Sequence, residues 1–455
     1  MEKILIKNGL VVTKDSNNSI LRDGIVYIED NIIKWIGRAD KINLAEYEKG
    51  SRIIDAAGKI VSPGFINLHN HLYSAVVRSI PFLGFDDYDS SDFSFISLME
   101  RFWYPMLEDR VTREQIYIGS LANIIGNIRS GITTTTDTVE GSYALPGALN
   151  AVYQAALESG IRAVLSFETT GRISRENQEL GLQENINFIK KINPKKGRIK
   201  GRIGVHTTFS CSTELLVQVR EEADKLGCGI MMHMADDRWH VYDSTRKYGK
   251  RPTRYLEEIN FLGPDVLLFH CSYLDPLRDP EIFKAHDVKI AHNPESNAIF
   301  GFWPDMIPFI KQGVIVGLGT DGQYHSMFEI MRTAQMIHRI KYEDLGLLPD
   351  SQLLNMATVE GARALLMENE IGSLEPGKKA DIILIKKKGA VPIFEANVEN
   401  YIVSTCERSD VDTVIIDGKV ILEKGNFLNL NEDSIYQDCR KEAIKLWEKN
   451  NWPLP

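Results

Sequence analysis

Eight apolar runs of β character recur through the middle of this chain, each separated from the next by helix-forming sequence. They cover residues 60–68, 131–137, 162–167, 202–205, 229–233, 266–270, 288–291 and 314–319. Runs rich in Val, Ile and Leu without polar alternation are the mark of strands buried on both faces. The stretches 113–130, 146–159, 213–226 and 304–312 carry the spacing of amphipathic helices. Strands and helices in alternation build a parallel sheet, and eight such units predict an α/β fold, a closed (β/α)8 TIM-like barrel. A doubly wound open sheet is the alternative.

The ends of the chain have a different texture. Residues 4–12, 24–29, 32–36 and 52–55 read as short strands, with turns at Asn8-Gly9 and Asp30-Asn31. Residues 380–385 and 413–422 repeat that texture, with Asp417-Gly418 as a tight turn. Each end is too short to fold well alone, so the two are expected to combine into one small β-sandwich. With 455 residues the chain is long enough for a barrel of about 300 residues and a second unit. The expected division is 1–60 and 369–427 for the sandwich, 61–368 for the barrel and 428–455 for a helical extension ending in a helix over 434–449.

In such barrels the chemistry collects at the C-terminal ends of the strands. The first run ends in Leu68-His69-Asn70-His71, and residues i and i+2 of a strand face the same way. The fourth run is followed by His206, the fifth ends at His233, the sixth at His270, the seventh at His292 and the eighth at Asp321. A single strand-end histidine is usually an ordinary hydrogen-bonded residue. Six of eight strands ending in histidine or aspartate make a metal site the better reading, with His69 and His71 sharing one ion.

The net charge is −9, and Lys and Arg are scattered, which argues against a nucleic-acid polymer as partner. Five cysteines, odd in number and without a CxxC pair, fit a reducing compartment and argue against a structural zinc finger. The N-terminus alternates charged and apolar residues like a strand, and no run is long enough to span a bilayer. A cytoplasmic enzyme acting on a small molecule is the expectation.

The motifs in order resemble those of the amidohydrolase superfamily: Pro63-Gly64-Phe65-Ile66-Asn67-Leu68-His69-Asn70-His71, Ser130-Gly131-Ile132-Thr133-Thr134, His233, Phe269-His270-Cys271, His292-Asn293-Pro294-Glu295-Ser296-Asn297 and Gly319-Thr320-Asp321-Gly322. Residues 372–381 resemble that superfamily's return to its split sandwich. Within it the chain is similar to the aminohydrolase and chlorohydrolase branch, which includes guanine, 8-oxoguanine and S-adenosylhomocysteine deaminases and triazine hydrolases. Tyr73-Ser74-Ala75 is most like the SsnA-type aminohydrolases. The resemblance implies one divalent ion, zinc before iron or manganese, held by His69, His71, His233 and Asp321. It implies that His270 stands beside the metal-bound water, that His206 and Asn297 face substrate, and that the protein is a homodimer. No lysine ends the fourth strand, which favours one metal over two.

One departure concerns the proton shuttle. The branch has His-x-x-Glu after the fifth strand, whereas this chain reads His233-Met234-Ala235-Asp236-Asp237, with Asp236 at the glutamate position. A metal with an open position lowers the pKa of its water towards about 7. Asp321 would take the water proton, His270 orient the nucleophile and Asp236 protonate a ring nitrogen. An apolar wall from Trp103, Met234 or Trp239 would keep Asp236 protonated. Glu168, Arg172, His240, Tyr242 and His325 are further candidates for substrate contact, with Arg172 suited to an oxo group or carboxylate. Residues 82–103 are a candidate lid. Deamination of a purine-like N-heterocycle is the leading expectation. Hydrolysis of a cyclic amide or a carbon–halogen bond in the same pocket is the second, and a non-catalytic scaffold the third.

Overall fold

The computed structural model describes residues 2–78, 95–322 and 326–450. The chain opens with β1 (Lys3–Val12), β2 (Ile20–Glu29), β3 (Ile32–Arg38), β4 (Arg52–Asp55) and β5 (Lys59–Pro63). The barrel strands follow: β6 (Phe65–Asn67), β7 (Ile132–Val139), β8 (Arg162–Thr169) with the short β9 (Ile199–Gly201) beside it, β10 (Ile203–Val205), β11 (Ile230–Met234), β12 (Val266–His270), β13 (Lys289–His292) and β14 (Val316–Leu318). The eight principal strands are parallel neighbours in the order β6-β7-β8-β10-β11-β12-β13-β14. The two ends of that series meet. Leu68 N–H donates to the Leu318 carbonyl at 2.9 Å, and the N–H groups of Thr320 and Asp321 donate to the His69 carbonyl at 3.1 and 2.9 Å. The barrel expectation holds, and the open doubly wound sheet does not.

The expected single strand over 60–68 is two strands. β5 leaves the barrel to pair antiparallel with β15 (Ile382–Lys386), and β6 begins the barrel. Gly64 is the pivot: a Cβ there would lie 2.1 Å from Thr133 Oγ1, so only glycine lets the chain pass this close to β7. Its N–H donates to the Asp381 carbonyl at 3.0 Å, tying the pivot to the returning C-terminal segment.

Both chain ends share one mixed sheet, as the sequence pattern indicates. With β16 (Val411–Ile416), β17 (Lys419–Glu423) and β18 (Asn426–Phe427) its order is β18-β17-β16-β15-β5-β1-β2-β3, with β4 beside β1. β15 shows how this sheet joins the barrel. Alternate strand residues point to opposite faces. Ile382 and Leu384 pack into the sheet's own core with Ile6, Val26, Ile28 and Val61, while Ile383 and Ile385 belong to the core that fills the barrel's surroundings. The turn at Asp417-Gly418 has φ of 51° and 76°, the left-handed pair that two-residue hairpins require. The last helix, Glu432–Lys449, is capped by the Asn431 side chain and packs on helix Arg113–Arg129, where Arg129 Nε donates to Glu432 Oε1 at 2.6 Å. No helix among the described residues is long and apolar enough to cross a membrane.

One buried ion pair fastens barrel to sheet. Arg162, at the start of β8, donates from Nε and Nη2 to Asp381 at 2.7 and 3.0 Å, and from Nη2 to Asp417 at 3.2 Å. Removing one partner of a buried pair strands the other charge. Asp381→Ala is expected to cost about 3–5 kcal/mol in a denaturant titration. Pairing Arg162→Met with Asp381→Leu is expected to recover most of that loss.

Candidate active site

The seam between β6 and β14 sets the first corner of the site. Asn67 Oδ1 accepts from Thr320 N–H at 3.0 Å and His69 N–H at 3.3 Å, and its Nδ2 donates to Thr320 Oγ1 at 2.7 Å. One side chain thus holds the ends of the first and last strands together. His69 and His71 leave this corner with ring centroids 4.8 Å apart. His71 Nδ1–H donates to the Thr138 carbonyl at 3.0 Å, which leaves Nε2 bare towards the barrel axis. The turn behind it is fixed by Asp137, whose Oδ1 accepts from Leu72 N–H at 2.6 Å. Burial lifts the Asp137 carboxyl to about 7.

Three more groups converge from other strands. His71 Nε2 lies 3.3 Å from His233 Nε2, and Asp321 Oδ1 lies 3.7 Å from His69 Nε2 and 3.6 Å from His71 Nε2. His270 Nε2 is 3.7 Å from Asp321 Oδ2. Tetrahedral zinc with bonds of about 2.0–2.1 Å sets its ligand atoms about 3.3 Å apart, so the spacing suits one ion. The donor set points the same way. His69 is fully buried, its ring stacked 4.0 Å from Phe269, and neither ring nitrogen has a hydrogen-bond partner. Burial, with the neighbouring histidines, holds His69 and His233 well below the usual histidine range, in the neutral form that binds metal. Burial also opposes charge on His71, but Glu140, Asp321 and Asp137 outweigh it and raise its pKa. Burial by itself would raise Asp321. His270, His71 and hydrogen bonds from Ser296 Oγ and Gly322 N–H, both 2.5 Å, bring it below the usual value.

A pocket opens above this cluster. His71, His206, His233, Asp236, His240, His270 and Asp321 line its polar side, and Trp103, Tyr104, Phe209, Phe300 and Phe302 its apolar side. Asp236 is 6% exposed, its Oδ1 has no hydrogen-bond partner, and burial lifts its pKa to about 7. Asp237 instead caps helix Arg238–Tyr248, accepting from His240 N–H at 3.2 Å, so the register turns it away from the pocket. His240 is pushed down to about 3 by burial and is neutral. Its Nδ1 lies 3.4 Å from both Thr207 Oγ1 and Asp236 N. His206 Nδ1 is hydrogen-bonded with Ser210 Oγ at 2.8 Å. Trp103 belongs to the wide π-helical stretch Met99–Glu108 and donates from Nε1 to Glu140 Oε2 at 3.2 Å.

Three expected substrate contacts lie behind the pocket wall. Arg172 is occupied: Nη2 donates to Glu108 at 2.9 Å, Nη1 and Nη2 donate to Asp109 at 3.0 and 2.7 Å, and its guanidinium lies 3.9 Å over Tyr104. It therefore offers no free charge to a substrate carboxylate. Asn297 is a support for His270, accepting from Nδ1–H at 2.8 Å. Glu168 sits beneath two site histidines, with Oε1 3.4 Å from His206 Nε2 and Oε2 3.4 Å from His233 Nδ1. His325 lies outside the described residues, as do 82–94 of the candidate lid; Phe95, Leu98, Met99 and Trp103 from its remainder line the pocket. Tyr242 is 59% exposed and Trp239 does not line the pocket.

The sequence reading missed Glu140 and Glu108. Glu140 lines the pocket directly after β7. Ending that strand at residue 137 hid it as a loop residue, although Thr138 and Val139 continue the β-branched run. Glu108 is pushed up to about 8 by burial and by Glu140, against the pull of Arg172. Burial, Glu140 and Glu108 also push Glu168 well above the usual range.

A parallel barrel with histidines and one aspartate gathered at its C-terminal mouth defines the class of metal-dependent barrel hydrolases. The Amidohydrolase family model matches residues 60–421, and the chain belongs to that family. It is 36% identical to a protein of Methanobrevibacter smithii named 5'-deoxyadenosine deaminase, covering 98% of each chain. It is 34% identical to a 5-methylthioadenosine/S-adenosylhomocysteine deaminase of Pelotomaculum thermopropionicum, covering 98% of this chain and 99% of that one. Its fold matches the zinc-bound structure of an adenosine deaminase from Xanthomonas campestris with a TM-score of 0.84, at 20% identity and 98% coverage of both.

The placement of Glu168 makes it a support for His233. Groups that fix a ligating histidine typically carry about 10–100-fold in metal affinity. Competition with a chelator is expected to show that loss in Glu168→Ala. Glu168→Gln, which keeps one acceptor oxygen but turns an amide NH2 towards the other histidine, is expected to lose less affinity than Glu168→Ala without matching the wild-type protein.

Proposed function

We propose that this protein is a metal-dependent hydrolytic deaminase of an aminated N-heterocycle with an adenosine-type ring. The observation that carries the reading is Asp236: a carboxyl buried in the pocket, unpartnered at Oδ1, with its pKa lifted to about 7. Such a group holds a proton near neutrality and can deliver it to a ring nitrogen. The names of the two relatives at 36% and 34% identity support the adenosine-type ring.

His69, His71, His233 and Asp321 would hold one divalent ion. Zinc is our first choice, while iron or manganese would also accept these nitrogen and oxygen donors. Bound there, the ion would supply an acidified water and polarise the carbon under attack. Asp321 accepts the proton released by the attacking water. His270, oriented by Asn297, directs that water from Nε2. Asp236 protonates the adjacent ring nitrogen as the new C–O bond forms. Asp321 then passes the proton it took to the departing amino group, Asp236 recovers a proton from the new hydroxyl, and cleavage of the C–N bond releases ammonia and leaves a ring carbonyl. Because aspartate is one methylene shorter than glutamate, the ring sits closer to β11 than a glutamate would allow. The aromatic wall formed by Trp103, Tyr104, Phe300 and Phe302 offers faces for a planar ring and excludes water.

We also propose that the protein is a homodimer and is cytoplasmic. Met336 and Ile340, one turn apart on helix Met327–Tyr342, are 54% and 67% exposed, and Leu345 beyond them is 86% exposed. An apolar face of this kind supports self-association, which sedimentation would read. The cysteines are unpaired, which fits a reducing compartment.

The deciding experiment is ammonia release from adenosine, 5'-deoxyadenosine and 5'-methylthioadenosine by metal-reconstituted protein. Chloride release from a chlorotriazine, or ring opening of a cyclic amide, with no ammonia from any nucleoside would replace this reading with the second one. Chelation is expected to abolish activity and added zinc to restore it. Asp236→Asn is expected to lower kcat by about 10²–10⁴-fold. Asp236 acts in its protonated form and its pKa is raised, so the rate is expected to fall as pH rises through about 7. That alkaline limb is expected to vanish in the residual activity of Asp236→Asn. Full activity in that variant would remove Asp236 from the mechanism.

A further inference from the structure

We propose that His240 is a positioning residue for Asp236: its Nδ1 holds the backbone N–H of the proton donor and so fixes where that short side chain reaches. The inference rests on the deaminase reading for the task of Asp236. It deepens that reading by naming what places the donor.

The turn after β11 shows why the donor needs a hold. Ala235 has φ of 48°, so the chain leaves the strand through a left-handed residue directly before Asp236. Two bonds from the neighbouring turn after β12 secure the residues in front of it. Cys271 N–H donates to the Met234 carbonyl at 3.0 Å, and Tyr273 N–H to the Ala235 carbonyl at 2.9 Å. The Asp236 N–H itself donates to a side chain, His240 Nδ1, at 3.4 Å. Asp237 and His240 make a reciprocal pair around it. Asp237 caps helix Arg238–Tyr248 by accepting from His240 N–H, and the His240 ring reaches back over the same turn. An ordinary capping box returns to the N-cap residue itself. This one returns one residue earlier, to Asp236. An aspartate carboxyl has one rotatable bond fewer than a glutamate carboxyl, so it has less freedom to make up for a displaced backbone.

The ring is fixed in its turn. A backbone N–H can only donate, so Nδ1 carries no proton and, in the neutral ring, Nε2 does. Thr207 Oγ1, from the turn after β10, lies 3.4 Å from the same Nδ1 and donates to it. Two donors share one lone pair, which accounts for both contacts being long. The Phe209 ring meets His240 edge to face, with centroids 4.7 Å apart. Burial and His270 push the His240 pKa down to about 3, so Nδ1 remains an acceptor near neutrality. His240 thereby ties the proton donor to the end of β10 as well as to its own helix. It also lines the pocket, and a direct substrate contact would have to use its remaining donor, Nε2–H. The two roles use different nitrogens, and two amides separate them: asparagine can place Oδ1 where Nδ1 stands, whereas glutamine reaches the position of Nε2.

The test measures kcat and KM for ammonia release from 5'-deoxyadenosine by the metal-loaded protein, with metal content per chain measured for every variant. His240→Leu is expected to lower kcat about 10–100-fold, with KM and metal content little changed. His240→Asn is expected to recover most of that loss and His240→Gln to recover little. In an Asp236→Asn background, His240→Leu is expected to change kcat by less than about twofold, because the group it places is already disabled. Full kcat in His240→Leu, a loss confined to KM, a loss that follows metal content, or an undiminished loss in the Asp236→Asn background each overturns the inference. Rescue by glutamine and not by asparagine overturns it in favour of a substrate contact. If the leucine variant does not fold, the comparison of asparagine with glutamine decides alone. Absence of ammonia from every nucleoside removes the deaminase reading instead. Hydrogen exchange resolved to the Asp236 amide then reads the hold directly: faster exchange in His240→Leu and His240→Gln than in His240→Asn supports it, and equal exchange in all of them overturns it.

Discussion

The join between the first and last barrel strands is the constraint on which the site depends. A barrel exists only where its two outer strands find each other, and here the meeting occurs at Leu68–His69 and Leu318–Asp321. The carbonyl of His69 receives the N–H of Asp321, so two groups that face the same centre are also backbone partners. Asn67 reinforces the join from a fully buried position. Without that seam, His69 and Asp321, which are 252 residues apart in numbering, would have no reason to share a corner.

The strand ends also turn in an unusual way. Ala235, His270, Cys271 and Asp321 all have positive φ, between 48° and 65°. Residues other than glycine adopt this conformation at a cost, and such residues gather at functional sites. Three of the four flank or belong to the cluster of histidines and aspartate, where a sharp turn directly after the strand keeps the side chain over the barrel mouth. The surrounding hydrogen bonds, from Ser296 to Asp321 and from His270 to Asn297, hold the turned residues in place.

The electrostatics of the mouth divide into two territories. On one side His69, His71 and His270 surround Asp321, a donor set suited to a cation. On the other, burial and the nearby Glu140 raise the proton affinity of Glu108 and Glu168. Arg172 offsets that crowding from behind Tyr104 rather than from within the pocket. The cation that looked from the sequence like a substrate clamp is thus a structural counter-charge, and the pocket is left with acceptors and aromatic faces.

Local patterning determined much of this protein without help from the structure. A buried parallel strand needs a short apolar run, and a polar residue directly after such a run stands at the barrel mouth, so His69, His71, His206, His233, His270 and Asp321 could be placed by reading strand ends alone. Helix Thr213–Leu226 and the hairpin at Asp417-Gly418 were legible for the same reason, since caps and turn glycines act within a few residues. The tertiary structure decided what depends on distant partners. Arg172 could face the pocket or Glu108, and only the packing of helix 99–108 against β8's outgoing loop chose. Asn297 became a support because His270 lies within its reach, and Glu140 entered the pocket because β7 runs two residues past its apparent end. The break at Gly64 likewise required knowing that Thr133 lies against it. Strand ends are a local property of the chain, whereas the partner of a charged or amide side chain is settled by whichever distant segment folds beside it.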